Sequence, residues 1–418
     1  MDGHLKVTIV GAGLAGLLAA RVLREKHAVT LVEKFEGGHE VGAAINLGPN
    51  GVKIAQELGF DKARCRSIAC GMARTMDRDG NVLMEESMGF LREQYGAEWL
   101  FQHRGDLWNE FLRLATCPSE TLKIQGRPAQ MLWGTRVTGV DVQTGDVFLD
   151  NGGKLESDLV IGADGIKSIL RPLVVAEEDF RTARPSGSSA FRFTISRDAL
   201  EKHGLELRVM DSTREASLDI YLSADGTNRS VIMYPCRDFQ TLNVGCITPD
   251  EILQSPTTES WSAEGSHEDL LRCFNCFSPA ILDVLRNAED IKVWQLRDQD
   301  PLPTYIKGRV AIIGDAAHAM TPHQGQGCNQ AIEDAEGFRI LCTPGISRAL
   351  VPELLKDFDR VRRPRASRIQ TITRQAHKKP SPEEIWRHRH YCYAYPGIVE
   401  CLHQLDHGEP KSHAPNGI

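Results

Sequence analysis

The chain of 418 residues is longer than one ordinary domain and long enough to enclose a sizeable core. With 41% hydrophobic and 25% charged residues it has the balance of a soluble globular enzyme, and a net charge of −7 gives no basic footprint for nucleic acid. No apolar run is long enough for a transmembrane segment and no leader is expected before the first strand; 11 scattered cysteines suit a reducing compartment, so a cytoplasmic location is expected.

Lys6 to Val10 is a short β-rich run, followed by Gly11-Ala-Gly13-Leu-Ala15-Gly16 and an Ala/Leu-rich helix through about Lys26. A second strand, Ala28 to Val32, ends at Glu33 and Lys34. A lone GxGxxG says little, because glycines are common. Set between strand and helix, with an acidic residue about 20 positions on, it has the context of a dinucleotide fingerprint. Gly11 permits the tight turn, Gly13 lets backbone approach a pyrophosphate, and Gly16 allows close helix–strand packing. Glu33 would accept from a ribose hydroxyl pair and repel a 2′-phosphate. The bland alternative is a glycine-rich βα turn with no ligand.

Ala73 to Met84 reads as a hairpin turning at Asp79-Gly80-Asn81. From Trp99 to Gly165 the chain returns to helix and strand, with a helix from Asp106 to Ala115. It then reaches another strand ending in the tight turn Ala163-Asp164-Gly165. From about Ala176 to Trp294 it becomes a meander, with strands at Phe191–Ile195, Ser217–Leu222, Ser230–Cys236 and Thr241–Ile247. Arg192 alternates with Phe191 and Phe193, so it projects from one face of its strand while they pack on the other. Tyr234 lies just before Pro235. An Arg and a Tyr hydroxyl converging on one oxygen would lower a phenol's pKa by charge and hydrogen bonding. Read blandly, they are a solvated arginine and an ordinary strand tyrosine. A helix from His267 to Leu285 would carry Cys273 and Cys276 on one face. No second pair completes a zinc site, and no metal is expected.

Val310 to Ile313 is an apolar strand ending in Gly314-Asp315. A Gly/Pro-rich turn with Pro322, Gly325, Gln326 and Gly327 leads into a helical pattern from Cys328 to Leu341. Asp315 can accept from a sugar hydroxyl, and the helix start offers free N–H groups and positive potential. His318 beside this turn reads as a structural histidine bonding backbone rather than a base. A basic helix from Val351 to about Lys379 carries Arg360, Arg362, Arg363, Arg365 and Arg368, read as a solvated face or a rim against acidic neighbours. Asp406 to Ile418 is expected to be loose.

The three glycine turns, with Glu33, Arg104 and Asp315, resemble the class A flavoprotein monooxygenases of the para-hydroxybenzoate hydroxylase fold. The chain is most similar to the salicylate-hydroxylase-like branch of aromatic polyketide and secondary-metabolite pathways. The likeness runs over nearly the whole chain, in the family's motif order. It implies an α/β fold: a Rossmann-like FAD-binding domain (GR2-type) with an inserted β-sheet substrate domain and a C-terminal helical segment. The expected division is 1–72, 98–175 and 295–345 for FAD, 73–97 and 176–294 for substrate, and 346–418 for the helical segment. The resemblance puts Arg104 against the flavin's ribityl and phosphate groups. Ala44 takes the place of the small residue under the flavin ring, which requires a negative φ. Val137 stands where main chain meets the adenine, and Cys328 where the family has Gly or Ala. Tyr234-Pro235 resembles the Tyr-Pro of fungal relatives.

The activity the resemblance implies is insertion of one oxygen atom from O2 into a phenolic or aromatic carboxylate small molecule. NADPH or NADH reduces FAD, and a flavin C4a-hydroperoxide delivers the oxygen. No second GxGxxG is present, so the nicotinamide cofactor is expected to dock transiently. The competing readings are a flavin-dependent reductase or dehydrogenase without oxygen insertion, and a non-catalytic escort protein. Monomer and homodimer are both compatible with the sequence.

Overall fold

The computed structural model describes residues 4–37, 43–177, 180–253, 263–375 and 381–408. Its first sheet has six strands in the order β17 (Ile306–Lys307), β18 (Val310–Ile312), β11 (Leu159–Gly162), β1 (Lys6–Val10), β2 (Ala28–Val32) and β7 (Gln130–Leu132). All neighbours are parallel except β17 on β18. Val7, Ile9, Leu159 to Ile161 and Val310 to Ile312 are buried, as strands covered on both faces require. In register, Val10 lies beside Gly162 and Gly162 beside Ile312. The turns after β1, β11 and β18 therefore leave the sheet side by side at its carboxyl edge, where ligands bind in such sheets.

Three short antiparallel strands, β8 (Val137–Val140), β9 (Asp146–Leu149) and β10 (Lys154–Glu156), form a separate sheet. The third sheet has nine strands. Its order is β16 (Lys292–Asp298), β12 (Arg184–Ser196), β15 (Thr241–Pro249), β14 (Ser230–Cys236), β13 (Ala216–Leu222), β4 (Ile68–Asp77), β6 (Leu100–His103) and β3 (Ala44–Leu47), with β5 (Val82–Ser87) on β4. Alternation gives this sheet two different faces. Phe191, Phe193, Val231, Met233, Leu242, Val244 and Cys246 pack with Leu270, Phe274, Val284 and Leu285 from two covering helices. Arg192, Asn243, Gly245, Ile232 and Tyr234 occupy the opposite face, toward the first sheet's loops.

Those covering helices correct the expected single helix from His267 to Leu285. The chain makes His267–Cys273, breaks, and restarts at Pro279–Arg286. Pro279 cannot donate to a preceding turn, and Ser278 before it is extended at ψ 157°. Cys276 falls in the break, so it and Cys273 do not share a helical face. The helix expected from Cys328 to Leu341 runs from Gly327 to Gly337 and tightens into a 3-10 turn over Phe338–Cys342.

The long C-terminal helix spans Val351–Arg374, and helices Pro382–Tyr393 and Ile398–His407 follow. Its expected end near Lys379 and most of the expected loose tail lie outside the described residues. Asp406, placed in that tail, sits in the last helix and pairs with Arg360 at 2.7 Å. The larger correction concerns the basic face: Arg362 is fully buried and Arg365 nearly so. They lie on the stripe of Leu355, Phe358, Ala366 and Ile369 that faces the core, and they meet Glu333 and Asp334 there. Among the described residues, no helix is long and apolar enough to cross a membrane.

Candidate active site

The three carboxyl-edge turns touch one another, and glycine makes the contacts possible. Gly11 has φ +102°, and a Cβ there would lie 2.4 Å from the carbonyl oxygen of Ala163. A Cβ on Gly16 would lie 2.1 Å from the carbonyl oxygen of Gly11, so helix and turn are in backbone contact. Ala15 closes the third side: a Cβ on Gly314 would meet its methyl at 3.1 Å. Gly13 differs, because a Cβ there would meet nothing within 4 Å. It faces a cleft of about 440 Å³ lined by Gly11, Glu33, Lys34, Trp133, Val137, Asp164 and Gly165, among others.

Polar groups fix the cleft's walls. Glu33 Oε2 accepts the Ala12 N–H at 2.9 Å, and its Oε1 accepts that of Phe35 at 3.1 Å. Asp164 Oδ2 accepts the N–H groups of Ile169 and Leu170, while burial pushes its carboxyl up and leaves Oδ1 without a partner. The buried Arg171 ties two turns together. Its guanidinium donates to the carbonyls of Ile166, Asp315 and Ala316 at 3.0, 2.9 and 2.7 Å. Arg171 ends the Asp-Gly motif in sequence, but its use as a staple needs the third dimension.

The β18 loop meets the nine-stranded sheet at Asn46. Gly325 has φ +61°, and a Cβ on it would come within 2.6 Å of Asn46 Oδ1. Gln326, beside it, is buried and its Oε1 accepts from Asn50 Nδ2 at 3.2 Å. Pro322 opens the 3-10 turn before Gly325, Gly327 begins the helix, and Cys328 is half-buried at its second position. Ala44 starts β3 with a negative φ, and its N–H donates to Asn243 Oδ1 at 3.1 Å. Arg104 starts the helix Arg104–Thr116, two residues before the expected Asp106, and its N–H donates to the Ala43 carbonyl at 3.1 Å. Asn46 accepts from Trp99 Nε1 at 3.1 Å and meets the Tyr234 hydroxyl.

Arg192 and Tyr234 share the sheet face turned toward this loop. Tyr234 is buried with its ring 4.9 Å from Phe101, and burial pushes its hydroxyl well up, so it stays protonated. Arg192 lies over the Trp294 ring at 4.7 Å, deep in the fold yet partly open. Burial pushes its guanidinium down; nearby Tyr234 opposes this and nearby Arg104 reinforces it. Among the described residues it makes no hydrogen bond and no ion pair. Gly245, its register neighbour on β15, leaves open space where a Cβ would stand. A desolvated cation with five unused donors faces an internal space.

His318 is buried, as a structural histidine should be, but it bonds the Asp334 carboxylate through Nε2 at 2.5 Å rather than backbone. Asn46, Asn243 and Gly245 were missed as site residues. A signal existed for the last two: Leu242, Val244 and Cys246 alternate with them, marking a polar, small-residue face on a buried strand.

The model for the FAD binding domain family matches residues 4–373. The chain belongs to the FAD-dependent monooxygenases of this family. It is 34% identical over 376 residues to hispidin-3-hydroxylase of Neonothopanus nambi, covering 87% of this chain and 86% of that one. It is 33% identical over 386 residues to a salicylate hydroxylase of Pseudomonas putida, covering 88% and 84%. Among solved structures, the salicylate hydroxylase substrate complex aligns with a TM-score of 0.71 at 25% identity, covering 96% of this chain and 93% of that one. CtdE in complex with FAD and its substrate shares the fold, with a TM-score of 0.77, 22% identity and coverage of 97% and 100%. The protein is thus an FAD-dependent enzyme that uses NAD(P)H, and the reductase and escort readings draw no support from these relatives. The residues present fit the cofactor: the open space at Gly13, the carboxylate at Glu33 and the cleft beside them suit a sugar–pyrophosphate chain.

Proposed function

We propose that the enzyme oxygenates a phenolic or aromatic carboxylate small molecule whose anionic oxygen is received by Arg192 and Tyr234. The observation that carries this reading is Arg192, a partly exposed cation deep in the fold that makes no hydrogen bond or ion pair among the described residues and lies beside open space at Gly245. A guanidinium in such a place needs an anion to offset its desolvation, and a phenolate or carboxylate supplies one. The named relatives act on hispidin and salicylate, both of which the reading accommodates.

Gly11, Gly13, Ala15, Gly16, Glu33, Lys34, Val137, Asp164 and Gly165 would hold the adenosine and pyrophosphate end of FAD. Arg104, Asp315 and the Pro322–Cys328 loop would hold the ribityl chain and ring, with Ala44 beneath the ring. Bound FAD, reduced by NADH or NADPH, supplies the activation of O2. This chain's residues do the rest. Arg192 lowers the substrate's pKa by charge, and Tyr234, kept neutral by burial, donates a hydrogen bond to the same oxygen. Ile232, Ile247 and Trp294, packed together on the same sheet face, would help to exclude water beside Arg192. The first N–H groups of the helix Gly327–Gly337 favour negative charge where the ring would lie.

In this reading residues 1–72, 98–175 and 295–345 serve the cofactor, 73–97 and 176–294 serve the substrate, and 346–418 form a helical segment, with β4 passing from the first to the second. Eleven cysteines, all free, support a cytoplasmic location. The test is a panel of phenols, aromatic acids and their O-methylated, esterified counterparts, following NAD(P)H consumption and oxygenated product together. Ionisable compounds should be turned over with coupling, and the blocked ones should not. Equal turnover of both sets would reject the anionic-oxygen reading.

A further inference from the structure

We propose that Arg362 and Arg365 of the C-terminal helix, acting through Glu333 and Asp334, are positioning residues that set the two loops facing the flavin. The inference rests on the assignment of the Asp315 and Gln326 turns to FAD. Glu333 and Asp334 are adjacent and fully buried on the helix Gly327–Gly337. Asp334 Oδ2 accepts the Gly314 N–H at 2.9 Å, immediately before Asp315, and also holds His318. Glu333 Oε1 accepts from Asn50 Nδ2 at 2.7 Å, and the same Asn50 amide group donates to Gln326 Oε1. One acidic pair therefore reaches both loops.

That pair is held by the C-terminal helix. Arg362 donates to Asp334 Oδ1 at 2.9 Å, Glu333 Oε2 at 2.5 Å and Gln330 Oε1 at 2.8 Å. Arg365 donates to both Glu333 oxygens at 2.6 and 2.8 Å. In spite of burial, Arg365 and Arg362 hold Glu333 below its ordinary range, and His318 and Arg362 do the same for Asp334. Buried ion pairs are poor sources of net stability, because apolar residues of similar size often do as well. What they do provide is a unique geometry: Asp334 has one oxygen on Arg362 and the other on the Gly314 turn, while Glu333, held by both arginines, reaches Gln326 through Asn50. The helix Val351–Arg374 thereby bears on the Gly314 and Gln326 turns through its partners.

Asn50→Ala tests this without stranding a buried ion, and Arg362→Lys, which keeps the charge but loses the fork, is the second variant. Titrating FAD into the full-length apoprotein, far below its unfolding temperature, should show affinity about tenfold weaker in each, equivalent to about 1.4 kcal/mol. The midpoint potential and visible spectrum of the bound flavin should shift. A purely structural role would lower thermal stability while leaving affinity, potential and spectrum of the folded protein native, and that result in either variant overturns the proposal. Asp315→Ala is the reference. If it loses FAD while the other variants keep it, the clamp is wrong and the loop assignment stands. If it too binds FAD natively, the loop assignment itself has failed.

Discussion

The molecule builds its two binding regions from different materials. The cofactor edge is made of backbone: three turns whose glycines let main chain touch main chain, as at Gly11 and Ala163. The proposed substrate face is made of side chains on a sheet, where register places Arg192, Asn243 and Tyr234 together. A site made of backbone tolerates no added atom at its contacts, whereas one made of side chains can be changed without disturbing the fold. Substitutions should divide the two regions accordingly.

The largest effect is expected at Gly11. Gly11→Ala places a Cβ against the Ala163 carbonyl at a φ that L-residues rarely adopt. The backbone strain alone is about 1–3 kcal/mol. The purified variant should be colourless and melt well below the parent in a thermal scan; a yellow protein of native stability would show that the turn is not so constrained. Asp315→Ala should come next, losing FAD on gel filtration while remaining folded, since a half-exposed carboxylate at the start of the one-turn helix Asp315–His318 carries little packing.

Arg192→Met sharpens the comparison in the opposite sense. It removes a cation that makes no ion pair among the described residues and keeps apolar bulk over Trp294, so the fold should be at least as stable as the parent. At the same time kcat/KM should fall about 100-fold or more, as when the partner of a buried charged group is lost. Calorimetry and steady-state kinetics on the same sample check both halves. A variant that is less stable and equally active would mean that Arg192 is structural.

The same contrast explains what could be read from the sequence. The cofactor edge was legible because its glycines stand in short strand–turn–helix patterns, although the contacts they permit, such as Gly11 with Ala163 and Gly325 with Asn46, join distant parts of the chain. Arg192 and the strand alternation were legible for the same reason, since period two fixes the face. The clamp was not. Arg362 and Arg365 sit at core-facing positions of their helix, spaced with Leu355, Phe358 and Ile369, but five arginines in nine residues read as a solvated face. Their acidic partners lie about 30 positions away, and only packing brings them together. The break at Pro279 was misjudged differently: the apolar spacing on both sides continues in phase, and the proline's lost donor outweighs it.

The smallest effect expected is at Tyr234, and it separates two roles. A catalytic base at this position would need a lowered pKa, yet burial pushes the hydroxyl up, and the Arg192 charge and the Asn46 amide only partly offset this. Tyr234 therefore remains protonated over the working pH range, and in the proposed reading it donates to the substrate oxygen. The kcat profile reports groups of the enzyme–substrate complex, so its acid limb should follow ionisation of the bound phenol. Removing a donor to the phenolate raises that phenol's pKa, and the limb must move to higher pH. Tyr234→Phe should thus keep native FAD affinity, lose about one pKa unit of substrate activation, roughly 1.4 kcal/mol, and regain rate as pH rises. It should also release more peroxide per NAD(P)H consumed. A base removed by the same substitution would instead erase a limb and leave a rate that higher pH does not restore, which would return Tyr234 to the list of groups that take a proton.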